Sequence, residues 1–248
     1  YKSNLKIERV EFHKLDLNKN IQEIISLIYE HRVEYIVNFA AQGMVSQSWT
    51  NPEEWFRTNT LSLVSLIDKI YKFSFIKKFI QASTPEVYGC CDNVKESMNF
   101  APSSPYAASK AAADLILYSY FKTHSFPINY TRSSNVYGPY QQLYRIIPKT
   151  ILSIKKDVKI QLQGAGKAVR SFIHIDDVSK STLAICNSAK SGEIYHLTGD
   201  KVISIYDLVK IIGDELRVDI DNCIDITEDR VAQDAHYFMD NKKLFHDF

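Results

Sequence analysis

Residues 77–89 read KKFIQASTPEVYG. A short, almost continuously apolar run passes into two hydroxyl residues, a proline and a carboxylate. A run of this kind predicts a strand buried on both faces, and such strands belong to parallel sheets covered by helices. Open α/β sheets bind ligands outside the C-terminal ends of their strands. Ser83, Thr84 and Glu86 are therefore expected on the rim of a site. Pro85 is the odd member, since it has no proton to give and no side-chain acceptor.

Outward from this stretch, the periodicity alternates. Strand patterns fall at 10–15, 35–40, 77–82, 127–132, 159–164 and 194–199. Helical patterns fall at 20–32, 52–72, 104–124, 147–156, 176–188 and 204–216. Alternation of this kind predicts an α/β fold, a Rossmann-like doubly wound parallel sheet with helices on both faces. Pro52 and Pro105 sit at helix N-terminal positions, where a missing N–H costs nothing. The runs YIVNFA and KKFIQA both read as strands buried on two sides. Beyond about residue 158 the order is less regular, which predicts a larger unit over 1–158 and a smaller lobe over 159–248, with 171–200 returning to the first. The chain begins at Tyr1, enters a strand-like stretch at once, and stops at MDNKKLFHDF with no closing element. Both ends are read as those of a longer polypeptide, with N-terminal strands expected upstream.

Composition sets bounds. The formal net charge of +1 offers no global basic or acidic signal, so charge implies no nucleic-acid partner. No stretch approaches the roughly 18 apolar residues of a membrane span, and no signal-peptide pattern opens the chain. Cys90, Cys91, Cys186 and Cys223 lack CxxC spacing, so a reduced, cytoplasmic protein without a metal site is expected. His174, Asp176 and Asp177 in FIHIDD read better as a strand end and helix N-cap than as metal ligands.

The strongest local constellation is Tyr106-Ala-Ala-Ser-Lys110. On a helix, residues i and i+4 share a face, so phenol and ammonium can meet. A nearby cation favours phenolate and makes Tyr106 usable as a base. YxxxK is common by chance, so its weight comes from context. Ser83 and Thr84 end one strand upstream, and Asn38-Phe-Ala-Ala-Gln42 ends another.

The ordered series NFAAQ, Asn59 in RTNTLS, STPEVYG, SPYAASK, RSSNVYGPYQ and VRSFIHIDD resembles the extended short-chain dehydrogenase/reductase superfamily, and within it the nucleotide-sugar 4,6-dehydratases. The resemblance runs from about Asp16 to Asp240. It implies bound NAD or NADP, a nucleotide-diphosphate hexose substrate and a homodimer or higher homo-oligomer. The larger unit would be a partial dinucleotide-binding domain, and the lobe would hold the nucleotide sugar. Tyr106 would take the 4-hydroxyl proton while hydride leaves C4, Lys110 would lower the Tyr106 pKa and bind the nicotinamide ribose, and Thr84 would hold the 4-oxygen. Glu86 would be the C5 base. Asp16, Leu17, Ala40, Ala41, Gln42, Asn59 and Ser83, with Tyr106 and Lys110, would line the cofactor. Asn135, Arg145, Arg170 and Arg230, with Thr84 and Glu86, would hold the substrate.

The chain also departs from the family. In the deoxythymidine-diphosphate-glucose dehydratases an aspartate matching Pro85 protonates the leaving 6-hydroxyl, whereas the GDP-mannose enzymes carry a small hydroxyl residue there. Glu86 is therefore expected to deliver that proton itself. No GxGxxG is present, although in the family this loop cradles the cofactor pyrophosphate. The phrase AAQGMVSQSW leans toward GDP-sugars. An epimerase, a uronate decarboxylase and a non-catalytic nucleotide-sugar binder are the competing readings.

Overall fold

Phe79 and Ile80 show how the fold is built. Neighbouring residues of a strand point to opposite faces, and both side chains are fully buried, each in a different hydrophobic cluster. The computed structural model describes residues 10–228 and 236–248.

The chain runs through helix α1 (Ile21–Glu30), strand β1 (Tyr35–Asn38) and helices α2 (Val45–Ser48), α3 (Pro52–Phe56) and α4 (Ser62–Ile70) to β2 (Lys78–Ser83). Strand β3 (Cys91–Val94), the long helix α5 (Pro105–His124), β4 (Ile128–Ser133) and β5 (Asn135–Tyr137) come next. They are followed by α6 (Ile146–Lys155), β6 (Ile160–Gln163), β7 (Val169–His174), α7 (Ile175–Ser188) and β8 (Ile194–Leu197). The chain then passes through β9 (Val202–Ser204), α8 (Ile205–Leu216), β10 (Ile224–Thr227), β11 (Tyr237–Met239) and α9 (Lys242–Asp247).

The central sheet has the order β1-β2-β4-β8 and is parallel throughout. On one face Phe79 and Ile128 pack with Ile28 of α1, Leu63, Ile67 and Ile70 of α4, and Leu117 of α5. On the other, Ile80, Tyr195 and Leu197 pack with Val178 and Ile185 of α7. The fold is thus α/β, with helices on both sides of a parallel sheet. Smaller sheets flank it. β7 lies between β5 and β9, β6 pairs with β10, and β3 pairs with β11. Over β6, the side chains of Ile160 and Leu162 pack against Val209 of α8.

Two expectations are corrected. The stretch 10–15 is not a strand, because no described strand lies alongside to pair with its backbone, and Phe12 is 84% exposed. The run YIVNFA is not buried on both faces. It forms the edge of the described sheet, where Tyr35, Val37 and Phe39 are exposed. The helix expected over 52–72 is present with one modification, a single π turn over Arg57–Leu61 between α3 and α4. The short strands β3, β5, β9, β10 and β11 escape periodicity, while β7 (six residues) is expected only at its end, in FIHIDD. Among the described residues no helix is long and apolar enough to cross a membrane.

Candidate active site

Strand β2 ends at Ser83, and Thr84 caps the 3-10 turn Pro85–Tyr88 by accepting a hydrogen bond on its hydroxyl from the Glu86 N–H at 3.3 Å. Proline suits the first position of such a turn, where its absent N–H has no role. The turn exits at Gly89, whose φ of 71° and closeness to the Ala101 carbonyl exclude a side chain. This geometry presents Glu86 to a cavity of about 700 Å³.

Helix α5 supplies the opposite wall. It starts at Pro105 behind Ser104, whose hydroxyl accepts from the Ala107 N–H at 3.2 Å. Tyr106 therefore stands in its first turn, at the cavity that Thr84 and Glu86 also line. Burial pushes the Tyr106 phenol well above its ordinary value, the Glu86 carboxylate pushes it further, and Thr84 and Arg145 pull the other way. Lys110, one turn on, is 2% exposed and donates to the Ala82 carbonyl at 2.6 Å. Its desolvation brings the ammonium down to about 8, opposed by Asp114. Burial and Glu86 thus raise the Tyr106 phenol and Thr84 and Arg145 lower it, while the Lys110 ammonium is bonded to the end of β2.

The structure brings Ser83, Thr84, Glu86, Tyr106, Asn135, Arg145 and Arg170 to one cavity. Asn135 donates to the Ser171 carbonyl and to the Tyr237 hydroxyl, at 3.3 and 3.2 Å. The Arg170 guanidinium lies 5.0 Å over the Tyr237 ring, and Arg145 lies over Tyr144. Arg230 lies outside the described residues.

The remaining candidates stand apart from this cavity. Ala40 and Ala41 are exposed beyond the end of β1, with the Ala40 N–H donating to Asn38 at 3.2 Å. Asp16 is exposed and accepts from the Asn18 N–H at 2.7 Å, while Leu17 packs against the core. Asn59 is buried rather than solvated. It accepts from the Gln42 N–H at 2.7 Å and donates to the Gln42 carbonyl and the Ser109 hydroxyl at 3.0 and 2.9 Å. The π turn that carries Asn59 aims it at both partners, a role such turns often take near functional sites.

Sequence reasoning missed Tyr237, Tyr140 and Gln163, which line the same cavity. It also missed a buried polar network of Asp114, Arg132, Tyr88 and His196 behind it. Only Asp114 left a signal, four residues after Lys110 on the same helix face.

Comparison with known proteins agrees with this geometry. The family model for GDP-mannose 4,6 dehydratase matches residues 1–245. A dTDP-glucose 4,6-dehydratase of Streptomyces antibioticus is 34% identical over 212 residues, covering 85% of this chain and 63% of its own. The human dTDP-D-glucose 4,6-dehydratase is 32% identical over 228 residues, covering 89% of this chain and 65% of its own. The chain thus spans just under two thirds of the length of these curated relatives. The crystal structure of the Bacillus anthracis dTDP-glucose 4,6-dehydratase in complex with NAD superposes with a TM-score of 0.89 at 30% identity, covering 99% of this chain and 76% of that one. A Thermus thermophilus UDP-glucose 4-epimerase, 22% identical with a TM-score of 0.88, shares the fold. With a family model matched over nearly its whole length, the chain belongs to the GDP-mannose 4,6-dehydratase family.

Proposed function

We propose that the protein is an NAD(P)-dependent nucleotide-sugar 4,6-dehydratase, converting a nucleotide-diphosphate hexose to its 4-keto-6-deoxy form. The observation that carries this reading is the convergence of Thr84, Glu86 and Tyr106 on one cavity from two separate elements. A carboxylate beside the hydroxyl pair is what dehydration needs, because loss of water requires a base at C5 in addition to the groups that handle the 4-hydroxyl.

The residues present fit a dinucleotide. The Lys110 ammonium has three donors, of which one is used on Ala82 among the described residues, in a place otherwise shielded from water. The spare donors suit ribose hydroxyls. The exposed backbone at Ala40 and Ala41 lies where an α/β sheet receives such ligands. Such a cofactor would supply hydride chemistry, with C4 oxidised and C6 reduced.

Tyr106 receives the 4-hydroxyl proton, with Thr84 bridging phenol and sugar oxygen. With its phenol held high, Tyr106 starts as a protonated hydrogen-bond donor, and a cationic ligand beside it is needed to bring it into use as a base. Glu86 removes the C5 proton once C4 is a ketone. The same carboxyl then protonates the leaving 6-hydroxyl, since Pro85 cannot. Arg145, Arg170 and Asn135 face the nucleotide diphosphate, for which guanidinium forks are suited. Arg230 is assigned to the same task from its place in sequence. Residues 1–158 are assigned to the cofactor and 159–248 to the sugar nucleotide, with 171–200 returning toward the sheet through β8.

We also infer self-association through the helical face where Phe56, Leu61 and Leu115 are exposed, and a cytoplasmic setting in which the four free thiols stay reduced. Incubation of the full-length protein with NAD or NADP and with GDP-, dTDP- or UDP-hexoses tests the activity. A 4-keto-6-deoxy product from one of them supports it. An epimerised or decarboxylated product, or binding without turnover, overturns it.

A further inference from the structure

We propose that Arg132, which does not line the cavity, is a positioning residue that clamps both ends of the Ser83–Tyr88 turn and ties that turn to helix α5, setting where Glu86 stands relative to Tyr106. The inference rests on the dehydratase reading for what Glu86 does, though not for where it stands.

The bonds within the turn include the Thr84 cap at 3.3 Å, a Val87 N–H to Thr84 carbonyl contact at 3.5 Å and the Gly89 N–H to Glu86 carbonyl bond at 3.1 Å. From outside, the Ala101 N–H donates to the Val87 carbonyl at 2.9 Å, and Arg132 reaches both ends of the turn through side-chain contacts. Arg132 is the β4 residue directly opposite Ser83 in the ladder, and its side chain is fully buried. One arm of its guanidinium donates to Asp114 Oδ2 at 3.0 Å, and that same oxygen accepts from the Ser83 hydroxyl at 2.7 Å. The other arm donates to the Tyr88 hydroxyl and to the Ser97 carbonyl, the latter at 2.7 Å. The guanidinium also lies 4.6 Å over the Tyr88 ring. Ser83 and Tyr88 bracket Thr84, Pro85 and Glu86, so one side chain holds the turn at entry and exit.

Asp114 lies on α5 one turn beyond Lys110 and two beyond Tyr106, so it carries the clamp into the helix that bears both. Beyond Tyr88 the network continues to His196 Nε2 at 2.8 Å, whose Nδ1 meets the Asp240 carbonyl at 2.9 Å. A buried ion pair is a poor source of stability compared with apolar packing. It does fix geometry, and only a planar fork with several donors can serve these three acceptors together. Lysine cannot.

The test uses the full-length protein with cofactor and a nucleotide hexose, comparing Arg132→Lys and Tyr88→Phe with the unsubstituted enzyme. Displacement of Glu86 by a fraction of an ångström predicts a kcat loss of roughly tenfold to a hundredfold with KM unchanged. Water loss should fall behind C4 oxidation, so that reduced nicotinamide builds up in a single turnover. Amide hydrogen exchange should accelerate over 84–89 and not across β2 and β4. Tyr88→Phe removes one oxygen, so it decides the matter if Arg132→Lys does not fold. Unchanged kcat and unchanged exchange in Tyr88→Phe overturn the clamp, as does faster exchange spread over the whole sheet. If the unsubstituted enzyme makes no 4-keto product, the dehydratase reading fails. The exchange measurement then still decides the clamp by the same two outcomes.

Discussion

Lys110 donates to the Ala82 carbonyl at 2.6 Å and shares no hydrogen bond with Tyr106, one helical turn before it. Its phenol instead feels the Glu86 charge, which pushes it up, and Thr84, which pulls it down. Tyr106 and Glu86 thus line one cavity and act on each other electrostatically, while Lys110 is tied to the end of β2.

Glu86→Gln should reduce formation of the 4-keto-6-deoxy product by roughly 10²–10⁴-fold, the range for removing a positioned general base. Cofactor reduction at C4 should persist, seen as reduced nicotinamide that is not consumed. Product formation at the unsubstituted rate would reassign the C5 base.

Removing that charge also acts on Tyr106. The carboxylate pushes the phenol up, so Glu86→Gln should let it ionise at lower pH than in the parent. Ultraviolet titration of phenolate formation, with Tyr106→Phe as the reference, measures this. An upward or absent shift would contradict the placement.

Pro85→Asp puts a second carboxyl beside Glu86 in the turn. Like charges this close raise the pKa of the pair, so the acid limb of the kcat profile should move to higher pH. Because Pro85 is buried, the variant should also be less stable, by about 1–3 kcal/mol. Chemical denaturation and a pH–rate profile read the two effects separately.

Lys110 has a folded value near 8 against an ordinary 10.5. The unfolded chain thus binds more protons between these values, so stability is lowest below pH 8 and rises as pH goes from 8 toward 10.5. Lys110→Met should abolish that slope. It relieves roughly 3 kcal/mol of burial cost at neutral pH, offset by about 1 kcal/mol for the Ala82 carbonyl that loses its donor. The variant is expected to be inactive yet more stable at neutral pH, which urea titrations on either side of pH 8 would show.

Asn59→Ala removes three hydrogen bonds from a residue that is 4% exposed. With the Gln42 N–H left unpaired, a loss of about 1–3 kcal/mol is expected. Because the segment 40–42 is then released from α5, cofactor affinity should fall, measurable by calorimetry.

Much of this was legible in the residues. The strand at 77–82 and the helices at 104–124 and 204–216 follow from apolar period, proline at N1 and hydroxyl caps, all local signals. The grouping of Thr84, Glu86 and Tyr106 was legible because each ends or begins an element whose place in an α/β sheet is determined by its order. The segment 10–15 misled because alternating apolar residues describe a strand only when a neighbour exists to complete the ladder. The buried place of Asn59 was not legible, since a π turn leaves no pattern of its own.

The sequence by itself determined a parallel sheet covered on two faces, the strand end that carries Glu86 and the helix face that carries Tyr106 and Lys110. The tertiary structure alone decided that Lys110 turns to Ala82, that Tyr237 reaches Asn135 from 102 residues away, and that Arg132 stands opposite Ser83. Periodicity encodes which side of an element is buried. It does not encode which residues of two elements come into register, because that depends on the packing of the whole sheet.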